Sequence, residues 1–402
     1  MQFPLHRFTK IALLNLLLVA AIGVILRYKI AFSLPFINQK YLLHGHSHFA
    51  FAGWITHALM LLLLGYLAAQ KGDVVYKKYR WVLNANLVTA YGMLISFPLQ
   101  GYGLCSIIFS TLSIFVSYAF AIMYWKDLNN LSEKKVSHWW MKASLFFNAL
   151  SSAGAFGLAF MMVTKNSHQN WYLAAVYFFL HFQYNGWFLF ACIGLAADKF
   201  LHHVPDVILK KTFWLFAAAC IPAYLLSALW LPIPVWLYVI VVMAAFSQLA
   251  GWIILAKQIK KQLFFIRLKL NTTAQWLLFL SAIALSIKLL LQLGSTIPSL
   301  STIAFGFRPI VIGYLHLILL GVITLFLLGY MVAEKYIRLN SMMLVGIKTF
   351  TAGIIINEIF LMTQGVAAMG YIPIPYINEA LLFAACILFA GIVLLNISQQ
   401  KT

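Results

Sequence analysis

The sequence predicts an all-α integral membrane protein of twelve transmembrane helices, with both termini in the cytoplasm. Three observations carry that expectation. The 402 residues are 63% hydrophobic and only 9% charged, whereas a soluble globular chain has about 25% charged residues. The apolar residues gather into twelve runs, each close to the roughly 20 residues of helix that cross about 30 Å of hydrocarbon. The cations also sort to one side. Together these exclude a soluble enzyme, a secreted disulfide scaffold and a disordered chain.

In chain order the runs fall at 8–28, 42–69, 81–102, 104–125, 139–163, 171–197, 212–231, 233–256, 273–294, 307–332, 342–366 and 378–397. Polar or Pro/Gly-rich breaks part them, as at Lys71-Gly72-Asp73, Gln100-Gly101, Pro232-Ile233-Pro234 and Pro373-Ile374-Pro375. The first run has span length and no cleavage signal, so it is expected to stay as the first helix. No loop has room for a soluble domain, and residues 1–402 read as one transmembrane domain of twelve helices. No clear internal repeat is found, which counts against an inverted-repeat transporter.

With the N-terminus inside, the loops alternate. Among the 28 Lys+Arg, Arg27, Lys29, Lys40, Lys165 and Arg308 fall outside and Lys288 and Lys348 fall within spans; all the others, Lys401 included, lie inside. This is the positive-inside asymmetry. It accounts for the net charge of +20 as a topology signal with contact to anionic lipid headgroups, and it excludes nucleic acid as the partner. Cys105, Cys192, Cys220 and Cys386 all sit in predicted spans without a Cys-x-x-Cys pair. They read as small buried hydrophobes.

Ionisable residues inside a membrane are costly and mark candidate functional sites. His46, His48 and His57 lie in the second span, His181 in the sixth and His316 in the tenth, with His44 at the start of the second. His6, His138, His168, His202 and His203 fall in loops or tails and read as solvated. The three spans all run from outside to inside. His48 follows Lys40 and His316 follows Arg308 by the same interval, which places each about 12 Å below an outer cation at 1.5 Å per residue. His181 lies at a similar depth below Asn170. Imidazoles on separate helices at one level suit axial ligation of haem iron, and two of them facing each other give a low-spin, bis-histidine haem. At 100° per residue His44 and His48 share a helix face, while His46 points nearly opposite and His57 returns to the His46 face. Which of His44, His46 and His48 would ligate stays open at this level.

The second-span segment His46-Ser47-His48-Phe49-Ala50-Phe51-Ala52-Gly53-Trp54, the sixth-span segment His181-Phe182-Gln183-Tyr184-Asn185-Gly186-Trp187 and the tenth-span segment Gly313-Tyr314-Leu315-His316 resemble those of the catalytic subunit I of the haem–copper oxidase superfamily. That family includes the nitric oxide reductases. The resemblance covers the whole chain as architecture and implies a subunit I-like bundle in a bacterial cytoplasmic membrane. It implies one low-spin b-type haem on a second-span histidine and His316, with Arg308 pairing with a propionate. It also implies membrane lipid, a redox partner and small accessory subunits as partners. The departures matter. Tyr314 stands where the family has its high-spin haem ligand, and the seventh span has no histidine for the copper site. Any copper would rest on His181, with His44 the other low-grade metal candidate. Tyr184 lies three residues after His181, not the four of oxidases that cross-link these groups. If the chain is an enzyme, the resemblance makes it an oxidoreductase acting on O2 or NO, with His181, Tyr184 and Tyr314 as the catalytic candidates. Tyr314 reads as a second-haem phenolate or as a core tyrosine.

The remaining intramembrane polar residues have two readings each. Glu358, after Asn357 in the eleventh span, suits a proton relay or a structural hydrogen bond. Lys348 suits snorkelling to the interface. Lys288 suits a propionate partner or a reach to the outer interface. Trp54, Trp171, Trp187 and Trp236 suit an aromatic belt or packing. Two rival functions remain. One is a transition-metal transporter that captures Zn²⁺ or Cu²⁺ at His44-Gly45-His46-Ser47-His48; the other is a cofactor-free scaffold subunit of the same fold.

Overall fold

The structure, a computed structural model, describes residues 5–165, 168–201 and 203–400, without the side chains of 302–305. His202 and Lys401 lie outside the described residues. Among the described residues all regular structure is helical, and there is no strand. The helices are α1 (Leu5–Ala31), α2 (Gln39–Lys71), α3 (Val74–Gln100), α4 (Leu104–Asn129), α5 (Ser137–Val163), α6 (169–200), α7 (Asp206–Cys220), α8 (Val235–Lys261), α9 (Leu263–Lys269), α10 (Thr272–Gly294), α11 (Pro298–Gly306), α12 (Arg308–Ala333), α13 (Ser341–Met369) and α14 (Ile377–Ser398).

Among the described residues ten helices are long and apolar enough to cross a membrane, or eleven if a bent pair counts as one span. The bent pair is the expected seventh run. Its helix ends at Cys220, and the chain turns by 45° into the 3₁₀ segment Pro222–Ala228. Pro222 has no N–H to continue the ladder and its ring clashes with the preceding turn. The expected sixth run is helical throughout, but it is not among the ten, because His181, Gln183 and Asn185 make its middle polar. Three helix starts are capped by asparagine side chains: Asn38 accepts from the Lys40 and Tyr41 amides, Asn271 from Ala274 and Asn340 from Met343. Gly101, at a φ of 59°, ends α3 in a conformation that suits glycine.

The chain forms two compact units, Met1–Phe120 with Leu327–Thr402, and Ala121–Phe326. In the first, α13 and α14 approach backbone to backbone. A methyl on Gly391 would lie 2.5 Å from the Phe350 nitrogen, and one on Gly353 would lie 2.9 Å from the Leu388 nitrogen. Such small-residue contacts suit helices held by packing within lipid. Asn396 then ties α14 to α1 by donating to the Leu13 carbonyl at 3.0 Å. In the second unit, Ala219, Ala223 and Leu226 around the Pro222 bend pack on Val241, Ala244 and Ala245 of α8. Ahead of α5, Lys135 bridges Asp198 at 3.1 Å and Glu133 at 3.5 Å. Burial pulls the Lys135 pKa down; the Asp198 hydrogen bond and charge, with Glu133, outweigh it and leave the ammonium above its ordinary value.

Several expectations need correction. Lys288 does not reach an interface: it lies on the buried face of α10, 2% exposed, and donates to Gln292, whose amide donates to Gln248 at 2.8 Å. Cys105 and Cys386 lie on outward helix faces and are exposed, while Cys192 and Cys220 are buried. Trp54 and Trp187 are core residues, whereas Trp171 and Trp236 are exposed. Lys348 is exposed, as snorkelling requires.

Candidate cofactor site

The start of α2 sorts its histidines by face. His44 and His48 turn toward the end of α3. The His48 ring stacks on Phe97 with centroids 4.4 Å apart, its Nε2 lies 3.4 Å from the Tyr102 hydroxyl, and the His44 ring meets Tyr102 at 4.7 Å. Gly45 permits this packing, because a methyl there would lie 2.9 Å from the Pro98 ring. His46 faces the other way, toward α1. Its Cε1 lies 3.5 Å from where a Gly23 methyl would be, the Val19 backbone accepts a hydrogen bond from its ring, and the Arg27 guanidinium acts on it electrostatically. Its Nδ1 is buried without a hydrogen-bond partner. A neutral imidazole that donates through one nitrogen carries a lone pair on the other, so His46 holds a lone pair that no protein group uses. His44 Nε2 is likewise buried without a partner. Deeper in α2, His57 is fully buried against Phe8, with ring centroids 6.1 Å apart, and neither ring nitrogen is hydrogen-bonded.

In the second unit His181 is committed to the protein. Its Nε2 lies 2.8 Å from the Cys220 carbonyl, which only accepts, so Nε2 carries the hydrogen and Nδ1 accepts from the Asn185 amide at 3.0 Å. The ring therefore has no lone pair to offer copper. Tyr184 sits with its ring 6.3 Å from His181 and 6.5 Å from Tyr314, and its hydroxyl bonds Ser227. Lys288 acts electrostatically on both His181 and Cys220. His316 is half-buried near the middle of α12, and Arg308 is exposed at that helix's first position. Among the described residues no three His, Cys, Asp or Glu side chains come together to hold a metal ion. The copper and metal-path readings thus lack a ligand set, whereas haem iron needs only one or two imidazoles.

Helices α2, α6 and α12 each contain a π-helical segment that begins one or two residues after His48, His181 and His316 respectively: Ala50–Thr56, Phe182–Phe188 and Leu317–Thr324. The π-helix accounts for well under 1% of residues in globular proteins, and single π turns recur at functional sites. The signal was present in the letters. His48-Phe-Ala-Phe-Ala-Gly-Trp54 and His181-Phe-Gln-Tyr-Asn-Gly-Trp187 share the pattern His-Phe-x-(Phe/Tyr)-x-Gly-Trp, and His316 and Gly321 repeat its His-to-Gly spacing. The glycines sit where side chains would collide: a methyl on Gly53 would lie 2.6 Å from the Phe49 ring, and one on Gly321 would lie 3.1 Å from Ala284 Cβ. Neither a protein-family model nor a curated protein matches the chain.

Proposed function

We propose that this is a haem-binding protein of a bacterial cytoplasmic membrane, a twelve-span relative of subunit I of the haem–copper oxidases that has kept a low-spin b-type haem. Its work would be electron transfer or the sensing of a small gas such as O2 or NO. His46 is assigned as an axial ligand on the geometry of its own unit, and His316 is carried over from the resemblance as the candidate for a second. One observation carries the choice: His46 combines a buried Nδ1 that has no hydrogen bond with a neighbouring guanidinium, that of Arg27, whereas His44, whose Nε2 is also unpartnered, packs against Tyr102, His57 packs against Phe8, His48 Nε2 faces Tyr102 and both His181 nitrogens are used by protein groups. Haem supplies one-electron chemistry at its iron when bound. The chain's own part is to present neutral imidazoles and to keep water away with the apolar faces of α1 and α2. The Arg308 and Arg27 guanidiniums are suited to pairing with propionates. Helix 169–200, polar in its middle, completes the twelve spans of this reading.

The test is the absorbance spectrum of the detergent-purified protein, oxidised and then reduced with dithionite. Sharp reduced α and β bands are expected, and His46→Ala and His316→Ala should each abolish them while His48→Ala keeps them. A protein that stays colourless after expression with added haem would overturn the reading.

A further inference from the structure

We propose that Asn15, Asn86 and Tyr91 are positioning residues that fasten the π turn of α2 and so set the direction of the His46 imidazole; this rests on the haem reading above. A π turn lengthens the ladder from i→i+4 to i→i+5, and it leaves carbonyls without their ordinary helical partners. Within a membrane no water replaces them, so side chains of neighbouring helices must. Two do so here. Asn86 of α3 donates through its amide to the Ala52 carbonyl at 3.1 Å, and Asn15 of α1 donates to the Gly53 carbonyl at 2.6 Å. Both asparagines are buried, Asn15 completely. The Asn15 amide is itself oriented, because the Tyr91 hydroxyl donates to its Oδ1 at 2.7 Å and leaves Nδ2 pointing at Gly53. The turn is therefore held from α1 and α3 at once.

What the clamp controls follows from helix geometry. An α-helix rotates 100° per residue. If α2 relaxed to a continuous α-helix, the residues before the turn would rotate by about one residue's worth against those after it. His46 would then leave the face of α1 that holds Val19, Gly23 and Arg27. The other helices support the assignment by contrast. On α12, which carries His316, the Val322 carbonyl of the π turn accepts from Ser281 at 2.7 Å. On α6, where His181 is satisfied by protein groups, the Asn185 carbonyl receives the Cys220 thiol, at 4.0 Å. Close oxygen and nitrogen donors thus hold the two turns next to the assigned ligands.

The experiment compares wild type with Asn15→Leu, Asn86→Leu and Tyr91→Phe, reading haem per protein, the reduced α band, the low-spin paramagnetic resonance spectrum and the midpoint potential. Asn396→Leu is the control: it removes another buried asparagine bonded to an α1 carbonyl, that of Leu13, which is not a carbonyl of the turn. The two clamp variants should lose haem several-fold, and the haem they retain should show a shifted α band and potential. Tyr91→Phe, which loses only the orienting hydroxyl, should shift in the same direction by less. Asn396→Leu should melt lower with an unchanged spectrum. A coloured wild type with clamp variants spectrally identical to it, or altered no more than Asn396→Leu, overturns the positioning role alone. A wild type that binds no haem overturns the haem reading, and this inference with it.

Discussion

Replacing His181 separates a structural imidazole from a metal ligand. In His181→Ala the Cys220 carbonyl and the Asn185 amide, bonded to the ring at 2.8 and 3.0 Å, both lose their partner. A buried polar group left unsatisfied costs about 1–3 kcal/mol, so the pair gives about 2–6 kcal/mol, before the cavity adds its share. Asn185 cannot recover by swinging its amide, since its Oδ1 already has no partner. A cooperative unit the size of Ala121–Phe326 loses roughly 2–4 °C of Tm per kcal/mol. A midpoint loss of about 4 kcal/mol therefore becomes a fall of roughly 8–16 °C. His181→Phe fills the volume without restoring either bond, and so should fall nearly as far. The assay is thermal unfolding in detergent followed by tryptophan fluorescence, with the absorbance spectrum taken on the same samples. Variants that melt like wild type but lose colour or bound copper would refute the assignment and make His181 a ligand.

Two further outcomes follow from the packing. Gly391→Ala sets a methyl 2.5 Å from the Phe350 backbone nitrogen, which cannot swing away like a side chain; it should exceed the usual overpacking cost of about 1–3 kcal/mol and appear as poor expression or a sharply lower Tm. Ser281→Ala strips the donor from the Val322 carbonyl, held at 2.7 Å, and should cost about 1–3 kcal/mol in the same melting assay.

The helices were legible because membrane spanning is a one-dimensional demand: a run either has the length and apolarity or it lacks them. Where the structure departs from these expectations, a three-dimensional circumstance decides. Pro222 lay inside a long enough apolar run, and only the packing of Ala223 and Leu226 on α8 shows that the chain bends there. Lys288 lies in an apolar span, where sequence alone offers a propionate partner or a reach to the outer interface. In the structure Gln292, on its own helix, accepts from it inside, and the Gln292 amide in turn donates to Gln248 of α8. The sharing of a face by His44 and His48, with His46 opposed, followed from 100° per residue alone.

The rotation of α2 as a whole did not follow from that rule, since a helical wheel has no fixed zero. It is set by residues that carry no chemistry. Gly45 lets α2 settle on Pro98, which turns His44 and His48 toward α3 and leaves His46 to α1. Gly53 leaves room for the Phe49 ring within the π turn, while Asn15 and Asn86 hold that turn's carbonyls. A π turn differs from an α turn by one residue, so the hydrophobic period of a span barely records it. The information is instead in the glycine spacing and in polar residues one helix away. Asn15 and Asn86 read as incidental polar residues in apolar spans until the carbonyls they serve are known, and those carbonyls belong to the segment that aims the imidazole.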